Sequence, residues 1–64
     1  MKIKYDKVTD VLYIQFNNNE IIESGEDHNG VIVDYDNQNN VVGIEILKAS
    51  TKLPQPHIVE YEIA

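Results

Sequence analysis

The sequence contains no cysteine and no arginine, and it has no long apolar run. The lack of cysteine excludes disulfide bonds and the thiolate ligands that hold most structural zinc ions. The longest apolar runs, at residues 31–33 and 46–47, are far too short to cross a bilayer. No basic stretch followed by an apolar one has the pattern of a signal peptide. We therefore expect a cytoplasmic protein that does not enter a membrane.

The chain has 64 residues, which is enough for one small domain. A domain of this size buries only about 60% of the surface that its unfolded chain exposes, so its stability should be low. Small domains usually gain stability from disulfides, a structural metal or a partner subunit. Because the sequence offers neither disulfides nor thiolate ligands, we expect the chain to form a homodimer.

The charge balance is acidic, with five Lys against eleven Asp and Glu and a formal net charge of −6. Binding to nucleic acid depends on basic side chains that contact phosphates, so we expect no nucleic-acid partner. Lys2, Lys4 and Lys7 form the one close-set basic group. We expect Lys2 and Lys4 to lie on the solvent face of an edge strand, where they discourage pairing with other edges. A ligand-binding role for the group is the alternative.

Alternation of apolar and polar residues dominates the sequence, and this period of two predicts β-strands. The fold class that follows is mainly β, a small antiparallel sheet of five to six strands connected as a meander. One short helical segment is expected near residues 48–53, just before Pro54. The predicted strands lie at residues 1–5, 11–16, 20–24, 31–35, 41–47 and 57–63.

The alternation also predicts which side chains share a face of the sheet. In the second strand Leu12, Ile14 and Phe16 should lie in the core, opposite Val11 and Tyr13. Other predicted sets of shared-face residues are Val31, Val33 and Tyr35 in the fourth strand, Val42, Ile44 and Ile46 in the fifth, and Val59, Tyr61 and Ile63 in the sixth.

Turn-forming residues separate the predicted strands. Asp6 should cap a tight turn that ends at Asp10, and Asp36 should open the turn at residues 37–40, because aspartate side chains accept bonds from nearby backbone N–H groups. Residues 17–19 are expected to form a hairpin turn. Gly43 interrupts a strand, which indicates a bulge or the close approach of a neighbouring side chain such as an aromatic ring.

Four blocks of this sequence carry a resemblance to a known family, and they are Tyr5-Asp6, Asp10-Val-Leu-Tyr-Ile14, Gly30-Val-Ile-Val-Asp-Tyr-Asp36 and Val42-Gly-Ile-Glu-Ile-Leu-Lys-Ala-Ser50. Together they resemble the family named domain of unknown function 2283 (DUF2283). The resemblance covers residues 1–53 of a single domain spanning 1–64, and it leaves the strand at 57–63 outside. It implies a small β-rich domain from bacteria or archaea, and it carries no activity, cofactor or catalytic residue.

The sequence gives little support for a catalytic or metal site. Possible metal ligands are scattered, and we expect no metal and no cofactor at His28, His57, Asp27, Asp34, Asp36 and Glu45. Ser24 and Ser50 have no histidine nearby in the sequence, so no nucleophile is predicted. Asp34 and Glu45 both interrupt apolar strands, and we expect two solvated carboxylates on an outer face. The alternative is a close pair with a raised pKa that acts as general acid and base.

The tyrosines are the better indication of a partner, since an amphipathic ring suits a surface that is partly buried and partly wet. Tyr13, Val11 and Tyr61 are the predicted partner-binding residues. The function that we expect is therefore a non-enzymatic module for self-assembly or for binding another protein. An acidic antitoxin-like or regulatory protein that binds a basic partner is the second hypothesis. A small enzyme that uses Asp34 and Glu45 is the third.

Overall fold

The computed structural model describes residues 1–27 and 29–64, which form five strands and one short helix. Within these residues no helix is long and apolar enough to span a membrane. The elements, in chain order, are β1 (Lys2–Asp6), β2 (Val11–Gln15), β3 (Glu23–Glu26), β4 (Val31–Tyr35), β5 (Val41–Leu47) and α1 (Ala49–Lys52).

The strands form one antiparallel sheet in the order β1-β2-β5-β4-β3. The predicted mainly-β antiparallel fold with a short helix is confirmed. The chain follows a meander within β1-β2 and within β3-β4-β5, but β2 and β3 are not neighbours. β5 is the longest strand and occupies the centre between β2 and β4. The hairpin expected at residues 17–19 is therefore wrong, because that segment crosses to the far edge of the sheet.

The strand registers separate the side chains into two faces, as the alternation predicted. We call one the apolar face. It contains two rows of directly paired residues, Ile3–Ile14–Ile44–Val33 and Tyr5–Leu12–Ile46–Val31. The opposite side, the polar face, carries Lys2, Lys4, Tyr13, Gln15, Ser24, Glu26, Ile32, Asp34, Gly43 and Glu45.

The hydrophobic core is small. The buried apolar residues of the described chain are Leu12, Val42 and Ala49. Phe16, which we expected in the core, is 42% exposed because it lies just beyond the end of β2. The chain forms a slab of 34 × 32 × 20 Å. A single layer of sheet with four residues of helix leaves much of the apolar face without a covering layer.

Aspartates organise two of the turns in the way that the sequence predicted. Asp6 accepts bonds from the backbone N–H groups of Val8 and Thr9, at 2.9 and 3.2 Å. Asp36 accepts bonds from the N–H groups of Gln38 and Asn40, both at 2.9 Å. These side chains satisfy backbone donors that would otherwise have no partner in the turns.

Asp10 joins the first hairpin to the helix forty residues later. Its backbone carbonyl accepts the Ala49 N–H at 2.9 Å. Its carboxylate accepts the Ser50 N–H at 3.0 Å, the Ser50 hydroxyl at 2.6 Å and the Tyr5 hydroxyl at 2.7 Å. Lys48, before the helix, makes no side-chain cap, so Asp10 caps α1 from a distant part of the chain.

Two predicted strands differ from the structure. The third strand covers Glu23–Glu26 rather than residues 20–24. The Ser24 hydroxyl donates to Asp34 on β4, and this bond helps to fix the register between β3 and β4. The sixth strand is absent, since residues 57–63 have no strand assignment. A strand needs an edge with which to pair. Beyond a turn in which the Ile58 N–H bonds to the Gln55 carbonyl, this segment does not follow either edge.

We predict that Ser50→Ala lowers the thermal midpoint of unfolding by a few degrees at neutral pH, because it removes the hydroxyl bond to Asp10. The bonds from Ser50 and Tyr5 lower the pKa of the Asp10 carboxyl. Their contribution is therefore complete above the ordinary aspartate pKa and is lost as the pH falls through the lower, folded-state pKa. Thermal melts across the acid range test this. A difference from wild type that grows on acidification contradicts it.

Candidate functional site

The candidate site is a group of four polar side chains on the polar face, which we call the polar cluster. It consists of Tyr13 on β2, Glu45 on β5, Asp34 on β4 and Ser24 on β3. Tyr13 lies directly opposite Glu45, and Ser24 lies directly opposite Asp34. Asp34 and Glu45 are diagonal neighbours, because Asp34 pairs with Gly43. The cluster thus connects four adjacent strands.

Gly43 makes room for the Tyr13 ring. A Cβ at position 43 would lie 2.7 Å from the Tyr13 hydroxyl oxygen and 2.8 Å from the Ile14 carbonyl oxygen. Real Cβ atoms do not approach other atoms so closely, so only glycine fits. The ladder also shifts register at Asp34 and Tyr35, opposite this part of β5. Both features predicted from an internal strand glycine are present.

The expectation that Asp34 and Glu45 are separate, solvated carboxylates is wrong. Asp34 is only 3% exposed. Its Oδ1 accepts a short bond, 2.5 Å, from the Ser24 hydroxyl, and Glu45 lies two residues along β5 from Gly43, the residue that pairs with Asp34. The two apolar strands bring these carboxyl groups onto one face, because Asp34 and Glu45 both lie out of phase with the apolar residues.

The cluster changes the acidity of two of its members. Burial raises the pKa of the Glu45 carboxyl, and the charge of Asp34 and the hydrogen bond with it raise that pKa further. Burial also raises the pKa of the Tyr13 hydroxyl, with additional effects from the charges of Asp34 and Glu45 and from the bond to Asp34. The folded chain is therefore more stable while Glu45 is protonated than after this carboxyl ionises.

A groove of about 350 Å³ lies beside the cluster. Two predicted partner-binding residues, Val11 and Tyr13, line it. Tyr61, the third, is 77% exposed in the segment at residues 57–64 and does not line this groove. The role of these residues in binding a partner stays a prediction. The other lining residues are Lys4, Asp6, Thr9 and Glu45.

A second cavity, of about 500 Å³, is lined by Ser50, His57 and Tyr5, although no histidine lies near Ser50 in the sequence. The Ser50 hydroxyl donates to Asp10 at 2.6 Å. Its proton is directed to a carboxylate that also caps the helix, which is a structural arrangement and not that of a serine activated by a histidine base.

The other residues considered as possible metal ligands do not converge. Among residues 1–27 and 29–64, no group of three or more histidine or acidic side chains could hold a metal ion. The Asp36 carboxylate accepts the Gln38 backbone N–H in its own turn, and it accepts the Asn19 side-chain amide at 3.0 Å. His28 lies outside the described residues.

Sequence reasoning missed the connecting roles of Ser24 and Asp10. Ser24 lies in a short exposed strand, and its bond to Asp34 depends on the register between β3 and β4. Asp10 had a local signal as a turn residue, but its bonds to residues 49 and 50 depend on where β5 ends. Neither contact leaves a pattern in the local sequence.

Comparison with known proteins gives one match. A family model described as protein of unknown function (DUF2283) matches residues 2–50. The chain belongs to the DUF2283 family. No curated protein and no solved structure matches this DUF2283 chain.

The matched region of this DUF2283 protein contains the polar cluster and the Asp10 cap with its partners Tyr5 and Ser50. The segment at residues 57–64 lies outside it. The family description names no activity, so any function must be proposed from the geometry of this chain.

We predict that Gly43→Ala lowers the free energy of unfolding by about 2 kcal/mol or more, because the new methyl group overlaps Tyr13 and the Ile14 backbone. Gly25→Ala is the matched control, since among the described residues no atom beyond Gly25 and its two chain neighbours lies within 4 Å of the added Cβ. The control should change stability by less than about 0.5 kcal/mol. Urea unfolding followed by circular dichroism measures both. Equal effects of the two substitutions contradict the steric role of Gly43.

We predict that Glu45→Gln raises stability relative to wild type at neutral pH and that this gain shrinks near pH 4. Because the folded-state pKa of Glu45 is raised, the wild type loses stability as the pH rises from the ordinary glutamate pKa through the higher folded value. Glutamine cannot ionise and does not incur this loss. Urea unfolding at a series of pH values tests the prediction, with Glu62→Gln in the exposed segment as control. A gain that does not depend on pH contradicts it.

Proposed function

We propose that this DUF2283 protein is a non-enzymatic self-association module, in which a second copy covers the apolar face of the sheet. The supporting observation is the row of Ile3, Ile14, Ile44 and Val33 across four strands. Ile3 is 41% exposed, and the other three are half-buried. A contiguous apolar row of this kind in a folded protein marks an interaction surface.

The surface area of the chain supports the same proposal. The chain exposes 5068 Å², whereas a compact folded protein of this mass exposes about 4,200 Å². The excess of roughly 900 Å² is close to the 800 Å² that each partner buries in a standard interface. The radius of gyration, 12.4 Å, also exceeds the value of about 10.7 Å expected for a compact domain of 64 residues.

The distribution of charge favours this arrangement. The two rows that define the apolar face contain no charged residue. Asp34 and Glu45 lie on the opposite face, where they would point away from a partner packed on the apolar face. Within these two rows the hydrophobic effect can therefore act without charge repulsion.

The other two hypotheses have weaker support. A surface for a basic partner should carry mainly one sign of charge, but the polar face mixes Lys2 and Lys4 with Glu26 and Glu45. For the pair Asp34 and Glu45 we propose a structural role and no catalysis. Asp34 is 3% exposed and does not line the groove, so a substrate there would contact only Glu45.

We predict that Phe16→Glu weakens self-association by at least tenfold, because it places a charge at the margin of the apolar face. Phe16 is 42% exposed, so the change should leave the monomer fold intact. Val8→Glu is the matched control, since Val8 is 94% exposed in a turn and the charge change is the same. Sedimentation equilibrium measures the dissociation constant, and circular dichroism checks folding. A wild-type chain that stays monomeric at micromolar concentration contradicts the proposal.

A further inference from the structure

The outer edge of β1 and the segment at residues 57–64 are both without a strand partner in the described chain. β1 and β3 form the two edges of the sheet. Along β1, Ile3 lies on the apolar face and Lys2 and Lys4 lie on the polar face, both exposed. The edge therefore offers free backbone groups between an apolar row and a pair of lysines.

The segment at residues 57–64 has the complementary pattern. Val59, Tyr61 and Ile63 alternate with Glu60 and Glu62. The three apolar side chains are 55%, 77% and 83% exposed, so the described chain leaves more than half of each exposed. Large apolar side chains at alternate positions, with carboxylates between them, are typical of one more strand at the edge of a half-buried sheet.

We propose that residues 59–63 of one copy pair in antiparallel register with β1 of a second copy. This inference rests on the proposed self-association and names the segments that exchange. In this register each lysine of β1 faces a glutamate, and each apolar residue faces an apolar one. The proposed pairs are Met1 with Ile63, Lys2 with Glu62, Ile3 with Tyr61, Lys4 with Glu60 and Tyr5 with Val59.

This register is distinguished from its neighbours. Directly opposite charges across a strand pair are stabilising, and like charges are destabilising. A slip of one residue would place the glutamates on the apolar face, and a slip of two residues would leave one lysine without its glutamate. The register therefore follows from the spacing of Lys2 and Lys4 against that of Glu60 and Glu62.

The other edge of the sheet does not suit the segment. β3 reads Glu-Ser-Gly-Glu at residues 23–26, so it offers no apolar side chain. Glu23 and Glu26 would repel Glu60 and Glu62. Charge complementarity thus selects β1. Two β1 edges that met each other would bring lysines together, so the same lysines disfavour that pairing and favour a glutamate-bearing strand.

The geometry of the single chain points to a second copy as the acceptor. The Ile58 N–H bonds to the Gln55 carbonyl in a turn, and the residues that follow form no strand on their own β1 edge. Ile58, Val59 and Glu60 line a cavity with Leu12 and Leu53. The edge of β1 stays open for another chain. A twofold axis would then exchange both segments and give each sheet a sixth strand.

Charge reversal tests the pairing. Lys2→Glu with Lys4→Glu, and separately Glu60→Lys with Glu62→Lys, should each weaken dimerisation by about tenfold, since every dimer contains four such pairs. A chain with all four substitutions should recover to within about threefold of wild type. Sedimentation equilibrium at low salt measures each dissociation constant. The pairing is wrong if the four-fold variant is no tighter than the two double variants.

A disulfide test distinguishes the second copy from the same chain. The protein has no cysteine, so an introduced pair has no competitor. A Lys4→Cys chain mixed with a Glu60→Cys chain should give a disulfide-linked heterodimer on oxidation, identified by mass spectrometry of the linked peptides. Replacing the first chain by Glu26→Cys, on the β3 edge, should give at least tenfold less. The inference is overturned if the two mixtures cross-link equally. It is also overturned if a chain carrying both Lys4→Cys and Glu60→Cys forms only an internal disulfide.

The failure of this inference differs from the failure of the proposed function. If the reversals and the cross-link have no effect while Phe16→Glu still dissociates the dimer, the segment exchange is wrong and self-association through the apolar face stands. If the wild type is a monomer at every concentration measured, the self-association is wrong, and with it the exchange.

Discussion

A single β-sheet has two faces to satisfy, and this chain has too few residues outside the sheet to cover either. On the polar face, hydrogen-bonded side chains are buried and the remaining side chains are exposed to water. The apolar face receives only part of a layer from α1 and the segment that follows it, around Leu12 and Ala49. The shortage of covering material shapes the small core, the flat slab and the exposed row through Ile14 and Ile44.

Because the core is small, hydrogen bonds between residues far apart in the sequence fix the positions of elements that a larger core would fix in other proteins. Asp10 holds the start of the helix against the first hairpin, and Asp34 holds β3 to the centre of the sheet through Ser24. Asp10 accepts several donors at once, and charge-assisted bonds of this kind are stronger than neutral ones. The positions of α1 and β3 are therefore fixed without a larger hydrophobic core.

How much of the fold the sequence predicts depends on the range of the interaction that decides each feature. The positions of the first, second, fourth and fifth strands, the shared faces within them and the Asp36 turn depend on near neighbours, and these predictions are confirmed. The order β1-β2-β5-β4-β3 depends on which long strand takes the centre, which a local pattern does not encode. The pairing of Asp34 with Glu45 had a local signal, since both residues interrupt apolar strands. The contact with Ser24 had none.

The segment at residues 57–63 is the instructive failure, because its alternation is as regular as that of β1 and yet it forms no strand in the single chain. Alternation predicts which face of a sheet each side chain occupies. It does not predict whether that sheet belongs to the same chain or to a partner. An alternating segment that has no partner strand in its own chain is therefore a candidate for pairing with another chain, at an edge of complementary charge. The lysines of β1 protect that edge against general pairing and leave it suited to a strand that carries glutamates at the same spacing.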